Sequence, residues 1–341
     1  FVVLLSLPLL LGGCGGDKKG PVAEVKPVEE VSVNPNLKYE IKGDAATITG
    51  CDKQASGALI IPATIEGKSV TSIGDKAFRY CSKLTSMDIP NSVTSIGDKA
   101  FAYCSGQKSI MIPDSVTSIG VRAFGGCKSL TGITIGEGVT SIGKEAFSWC
   151  SRLTSITIPD SVTSIGEATF YNCSSLTSIT IGSSITSIGE RAFNSCSSLL
   201  TIEVGAGSIS YADVSGVLFN KKKTLLITYP KGKKGTNYDV PDGVSTIGVT
   251  AFYECRNLRS ITISDGAAAI GEEAFHGCSN LTNITIPDSV TTIGDYAFVH
   301  CTSLSSITIP AAVEVIRNGV FDNCTSLTKL IFLGDAPEDK T

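Results

Sequence analysis

A cysteine returns at one fixed interval through most of this chain, at Cys81, Cys104, Cys127, Cys150, Cys173 and Cys196, and again at Cys255, Cys278, Cys301 and Cys324. A phenylalanine stands three residues before each one, from Phe78 to Phe321. An Ile-Gly pair lies ahead of it in nine of the ten units, from Ile73 and Gly74 to Ile293 and Gly294, and the tenth has Ile316 and Arg317. A unit this short cannot bury its apolar side alone, so the units must stack along one axis. The 341 residues would otherwise suggest two or three globular domains.

The unit over residues 153–173 shows what each position is for. Ile156 and Ile158 alternate with Thr157, so the isoleucines point inward and the threonine outward. Pro159 and Asp160 stop the strand and open a turn. Val162 and Ile165 form a second inward pair, Gly166 supplies a bend, and Phe170 and Cys173 close the coil. The expected fold is therefore a mostly β solenoid with two short parallel strands per 23-residue coil. Irregular or short helical turns surround the Phe-x-x-Cys segment.

The pattern L-x-x-I-x-I-P-x-x-V-x-x-I-G-x-x-A-F-x-x-C resembles the BspA-type (Treponema pallidum-type) bacterial leucine-rich repeat, over about residues 59–333. The resemblance implies a leucine-rich-repeat solenoid on a bacterial surface lipoprotein with adhesion as its activity. The expected domains are a cap over 37–66 and a solenoid over 67–341, with a long hairpin-bearing repeat at about 205–241. The last strand has no recognisable cap, and the natural chain is expected to continue past Thr341.

Residues 1–14 read as a secretory signal, its start truncated: an apolar run too short to span a bilayer ends in Leu11, Gly12, Gly13 and Cys14. These four resemble a lipobox, which makes Cys14 the expected lipid attachment site, an ordinary signal with an incidental cysteine being the alternative. Residues 15–36, rich in proline and mixed charge and without aromatics, read as a disordered tether. The expected location is the bacterial cell envelope or surface, with the membrane engaged only through the lipid.

Little here suits catalysis. Two histidines, His276 and His300, sit at different registers with no nucleophile or carboxylate at a useful spacing, so neither an enzyme nor a cofactor is expected. A net charge of -4 argues against nucleic acid as the main partner. The cysteine column reads as buried free thiols, with scattered disulfides as the alternative and no tetrahedral cage for a metal. Cys51, outside the column, reads as the most reactive thiol.

Binding must come from positions that vary or face outward. One candidate is the residue before each cysteine, where Tyr80, Tyr103 and Trp149 could make an aromatic ridge. Another is the outward strand column that includes Thr134, Thr157 and Thr180, although threonine also favours strands for its own sake. The third is the step from Cys196 to Cys255, which is more than twice the usual interval. There, residues 217–227 read as a hairpin turning on Asn220 and Lys221. Lys221, Lys222, Lys223, Lys231, Lys233 and Lys234, with Tyr211, Tyr229 and Tyr238, suggest a basic protrusion for an acidic protein or sulphated glycan, or else a solvated turn protecting a sheet edge. The expected partner is an extracellular protein or glycan bound by a monomer; a structural spacer of the envelope is the alternative.

Overall fold

The computed structural model describes residues 33–334 and, beyond them, the backbone of the strand Glu338–Asp339. Signal, lipobox, Cys14 and most of the tether lie outside the described residues. Val33–Thr341 is one compact unit.

Each coil has three sides. A first short strand such as Ser178–Ile181 pairs in parallel with its counterpart one period away, Ile179 opposite Ile156. A second, two-residue strand such as Ser164–Ile165 does the same with Ser141–Ile142 and Ser187–Ile188. The third side, through Phe and Cys, consists of turns, and no helix occurs among the described residues.

The turn side is built on a backbone device. Two residues per coil, four apart, take left-handed conformations: Lys76 and Tyr80 at φ 59° and 67°, Lys99 and Tyr103 at 56° and 62°, Glu145 and Trp149 at 55° and 62°. Such residues break helix. They let alternate N–H groups leave the coil, Lys76, Phe78 and Tyr80 donating to the carbonyls of Asp98, Ala100 and Ala102 in the next coil. The third side is thus hydrogen-bonded along the stack like the strands, without being one.

The constant residues fill the inside. Phenylalanine rings stack along the axis, Phe78 on Phe101 at 5.1 Å and Phe101 on Phe124 at 5.1 Å. From Cys104 on, each column thiol donates to the phenylalanine carbonyl of the preceding coil, Cys104 to Phe78 at 3.0 Å, Cys150 to Phe124 at 3.3 Å and Cys278 to Phe252 at 3.1 Å, except Cys255, whose acceptor is the Tyr229 carbonyl. Burial pushes Cys127, Cys196 and Cys278 up to about 12, so these thiols stay protonated donors.

Gly166 acts by close approach. A Cβ there would stand 2.5 Å from the backbone nitrogen of Lys144 in the preceding coil, and the φ of Gly166 is not left-handed. The glycine lets coils stack at strand spacing.

The N-terminal end begins with an antiparallel hairpin, Leu37–Lys42 and Ala45–Cys51, whose second strand runs parallel to Lys68–Ile73. Gly57–Ile60 is already in parallel register with Leu84–Asp88, so coil geometry starts inside the segment expected to be the cap. Cys51 is not apart from the column: Cys51 and Cys81 both donate to the carbonyl of Asp52, at 3.6 and 3.9 Å. The neighbouring Cys81 thiol, together with burial, raises the pKa of Cys51. Cys51, expected to be the most reactive thiol, therefore stands beside Cys81 rather than alone.

The long repeat divides the core into two clusters. Tyr211–Val214, Val217–Asn220 and Leu225–Thr228 form an antiparallel meander, and the last strand rejoins the stack parallel to Thr246–Ile247. The turn closes on Asn220, whose Oδ1 accepts from the N–H groups of Thr224 and Leu225 at 2.8 and 3.0 Å.

Candidate binding surfaces

Tyr80, Tyr103 and Trp149 all stand on the turn side, with 45%, 43% and 49% of their surface exposed. Tyr80 and Tyr103 stack at 5.0 Å, and the Arg79 guanidinium lies over both rings, 4.6 Å from Tyr80 and 6.0 Å from Tyr103. Between Tyr103 and Trp149 the column holds Gly126, also left-handed at φ 77°. Tyr103 leans over this glycine, so a Cβ there would lie 2.5 Å from its ring.

The missing side chain opens a notch of about 250 Å³. Ala102, Gly125, Gly126 and Ser148 line it with small groups, and Tyr103 and Trp149 are its large apolar ones. Arg79, Lys99, Arg122 and Lys128 also line it, with Glu145 as the one acid. Arg122 neutralises that acid, its Nε donating to Glu145 at 2.6 Å. Arg79 Nε is enclosed and has no acceptor among the described residues. The spacing alone announces the aromatic residues; the notch depends on a glycine whose significance is what it leaves out.

The threonine column lies on the sheet of first strands. Thr134 and Thr157 are exposed and Thr180 is half-buried, its hydroxyl 3.5 Å from Glu203. Threonines outside this column bond to backbone instead, Thr117 to Thr94 and Thr154 to Thr131. Gly132–Ile135 pairs only with Ser109–Ile112, and Ser155–Thr157 belongs to a separate sheet. A shallow groove of about 490 Å³ lies at that break, lined by Thr134, Thr157, Glu137 and the strand residues beside them.

The lysines do not form one protrusion. Lys221, Lys222 and Lys223 are exposed at the hairpin tip. Lys231, Lys233 and Lys234 follow the strand at its other end. Lys231 is an inner residue, its side chain 7% exposed, paired with Glu254 at 3.3 Å and lying 5.0 Å from the Tyr253 ring. Lys233 donates to the Ser215 carbonyl at 2.7 Å, and Lys234 is free at the surface.

The tyrosines pack into or against the core. Tyr229 takes the phenylalanine position of its coil, stacked 5.3 Å from Phe252 and met by Tyr238 at 4.7 Å. Tyr211 packs against the first core, its hydroxyl donating to Thr186. The sequence held the signal: Tyr229, Lys231 and Gly232 stand one period before Phe252, Glu254 and Cys255.

His276 is half-buried and stacked 4.9 Å from Tyr253, with His300 edge-on at 5.5 Å. Burial lowers its pKa from 6.5. Among the described residues no three His, Cys, Asp or Glu side chains cluster as a metal site would need.

The chain is similar to several solved bacterial proteins. A leucine rich cell surface protein of Faecalibacterium prausnitzii A2-165 is 31% identical, with 89% of this chain and 94% of that one covered and a TM-score of 0.67. A leucine-rich repeat protein of Eubacterium ventriosum is 28% identical over 88% of this chain and 83% of its own, with a TM-score of 0.68. The pneumococcal vaccine antigen PcpA, 22% identical over 89% of this chain and 87% of its own, shares the fold, with a TM-score of 0.65. Curated proteins offer no match. The family model for the BspA type leucine rich repeat region matches six copies, over residues 60–147, 94–225 and 229–336, so the chain belongs to the BspA-type leucine-rich-repeat family.

Proposed function

We propose that this chain is a binding module of a bacterial cell surface, which holds a macromolecular partner through the turn side of its N-terminal half and performs no covalent chemistry. One observation carries the reading: a single side of the solenoid bears a stacked aromatic ridge, an open notch and surplus cations, while the repeated residues elsewhere serve packing. Aromatic and arginine side chains at a concave site are the usual anchors of recognition. Leucine-rich repeats are typically non-catalytic scaffolds, and the F. prausnitzii relative is a cell surface protein. Export and lipid attachment at Cys14 complete the proposal.

The test is capture of partners from extracellular matrix and glycan panels by the purified protein and by a variant with Tyr80, Tyr103 and Trp149 replaced by alanine. A saturable partner lost by the variant is the expected result. Saturable capture equally strong with both proteins would refute the turn side, and no capture by either would favour a spacer. Cys14→Ala should release the protein from the membrane fraction.

A further inference from the structure

The notch between Tyr103 and Trp149 also suggests what kind of partner fits it. We propose that it holds one sugar unit of an anionic polysaccharide, the ring packed against the aromatic side chains and its sulphate or carboxylate taken by Lys99, Lys128 and Arg79. This deepens the proposed function and rests on it.

Three features select this chemistry. The first is size: about 250 Å³ is less than the roughly 300–1,000 Å³ of sites that enclose a whole small ligand. The notch is open to solvent, so a short unit within a longer chain suits it better than a free metabolite.

The second is surface. The only large apolar groups lining the notch are Tyr103 and Trp149, and the rest of its apolar lining is as small as Ala102, Gly125 and Gly126. A peptide anchor would find no deep apolar pocket. A pyranose has a flat C–H face that packs against aromatic rings and hydroxyl edges that need polar neighbours, such as Ser148.

The third is charge. Of the four cations, Arg122 is engaged by Glu145, and Lys99, Lys128 and Arg79 have no carboxylate partner among the described residues. Arg79 is held in place by stacking on the tyrosines and by donating to the Tyr80 hydroxyl at 3.0 Å. Its enclosed Nε adds an unmet donor beside the site. A preset cation beside an aromatic surface recognises an anionic substituent on a ring, and the half-buried Lys99 and exposed Lys128 nearby strengthen attraction at low salt.

Trp149 is the single tryptophan of the chain, so its fluorescence reports occupancy directly. The protein would be titrated with dextran sulphate, hyaluronan and neutral dextran at 50 and 300 mM salt, and heparin-resin retention measured in parallel. Expected are a saturable change in Trp149 emission with a sulphated or uronic polymer and none with dextran. Tyr103→Ala should weaken binding roughly ten- to thirtyfold, the loss of one anchor residue. Gly126→Asn, tolerated in the left-handed region but displacing Tyr103, should do the same with an unchanged melting temperature. Lys99→Glu with Lys128→Glu should abolish binding at 300 mM salt, and Lys221→Glu with Lys222→Glu should leave it intact.

Retention on heparin unchanged in Tyr103→Ala and Gly126→Asn would overturn the proposal in favour of diffuse charge. A sulphated polymer preferred over hyaluronan assigns the anion as sulphate, and the reverse as carboxylate. If no anionic polymer moves the Trp149 signal while a protein partner does, and Tyr103→Ala loses that partner, the glycan inference falls and the binding-module reading stands. A partner indifferent to every notch variant would sink both.

Discussion

At single residues, the repeat is informative where one unit departs from it. Gln107 occupies a position that is Leu84 in the preceding coil and Leu130 in the next, all three buried. Its Nε2 donates to Ser109, but its Oε1 is enclosed without a partner. Gln107→Leu should therefore raise stability by about 1–3 kcal/mol, the cost of a buried unsatisfied polar atom. Urea denaturation would show it, and an unchanged or lower midpoint would contradict it. Thr169 is the counter-example: it replaces the usual alanine, yet its hydroxyl donates to Gly166 at 2.7 Å, so no comparable gain is expected from Thr169→Ala.

His276 links a residue to pH. Desolvation lowers its folded-state pKa most, with Glu273 and Glu254 opposing and His300 and Arg191 assisting. The fold therefore prefers the neutral ring. That preference is fully present above the unfolded value of about 6.5 and is lost as pH falls below it, the unfolded chain taking up the proton first. Melting temperatures between pH 7.5 and 5 should fall more steeply for the native protein than for His276→Phe. Equal slopes would rule out the assignment.

Among elements, the long repeat separates lysines that look alike in sequence. Lys231 is enclosed and Glu254 is held between it and Arg256. Lys231→Ala should cost about 1–3 kcal/mol, less than for a fully buried pair because Glu254 keeps Arg256 and some solvent. Alanine at Lys221, Lys222 or Lys223 should stay within about 0.5 kcal/mol, as exposed positions do. Denaturation midpoints of the four variants would decide it. The hairpin and its Asn220 turn were readable from alternation and turn chemistry. The position of Lys231 was readable from the period, by stepping back from Glu254.

Across the molecule, stability should scale with coil number, since each coil packs only on its neighbours. Deleting residues 261–283, one whole period, joins Ser260 to Ile284 in register. The shortened protein should fold, lose about 16 kcal/mol of unfolding enthalpy at roughly 0.7 kcal/mol per residue near 60 °C, and keep the notch. Extending the deletion to Ile284, a single residue too far, should turn inward side chains outward and prevent cooperative melting. Calorimetry of the two deletions separates register from length.

The period, the inward isoleucines, the turn prolines and the glycine column determined the solenoid, because each of these positions meets its own copy one coil away, and a contact between equivalents is written in spacing. Only the tertiary structure decided that Cys51 joins the cysteine column, that Tyr211 and Tyr238 pack against the core, and that the Lys231 side chain is enclosed beside Glu254. It also decided that Gly126 opens a notch between Tyr103 and Trp149. These depend on contacts between unlike residues of neighbouring coils, and a repeat pattern records no such pairing.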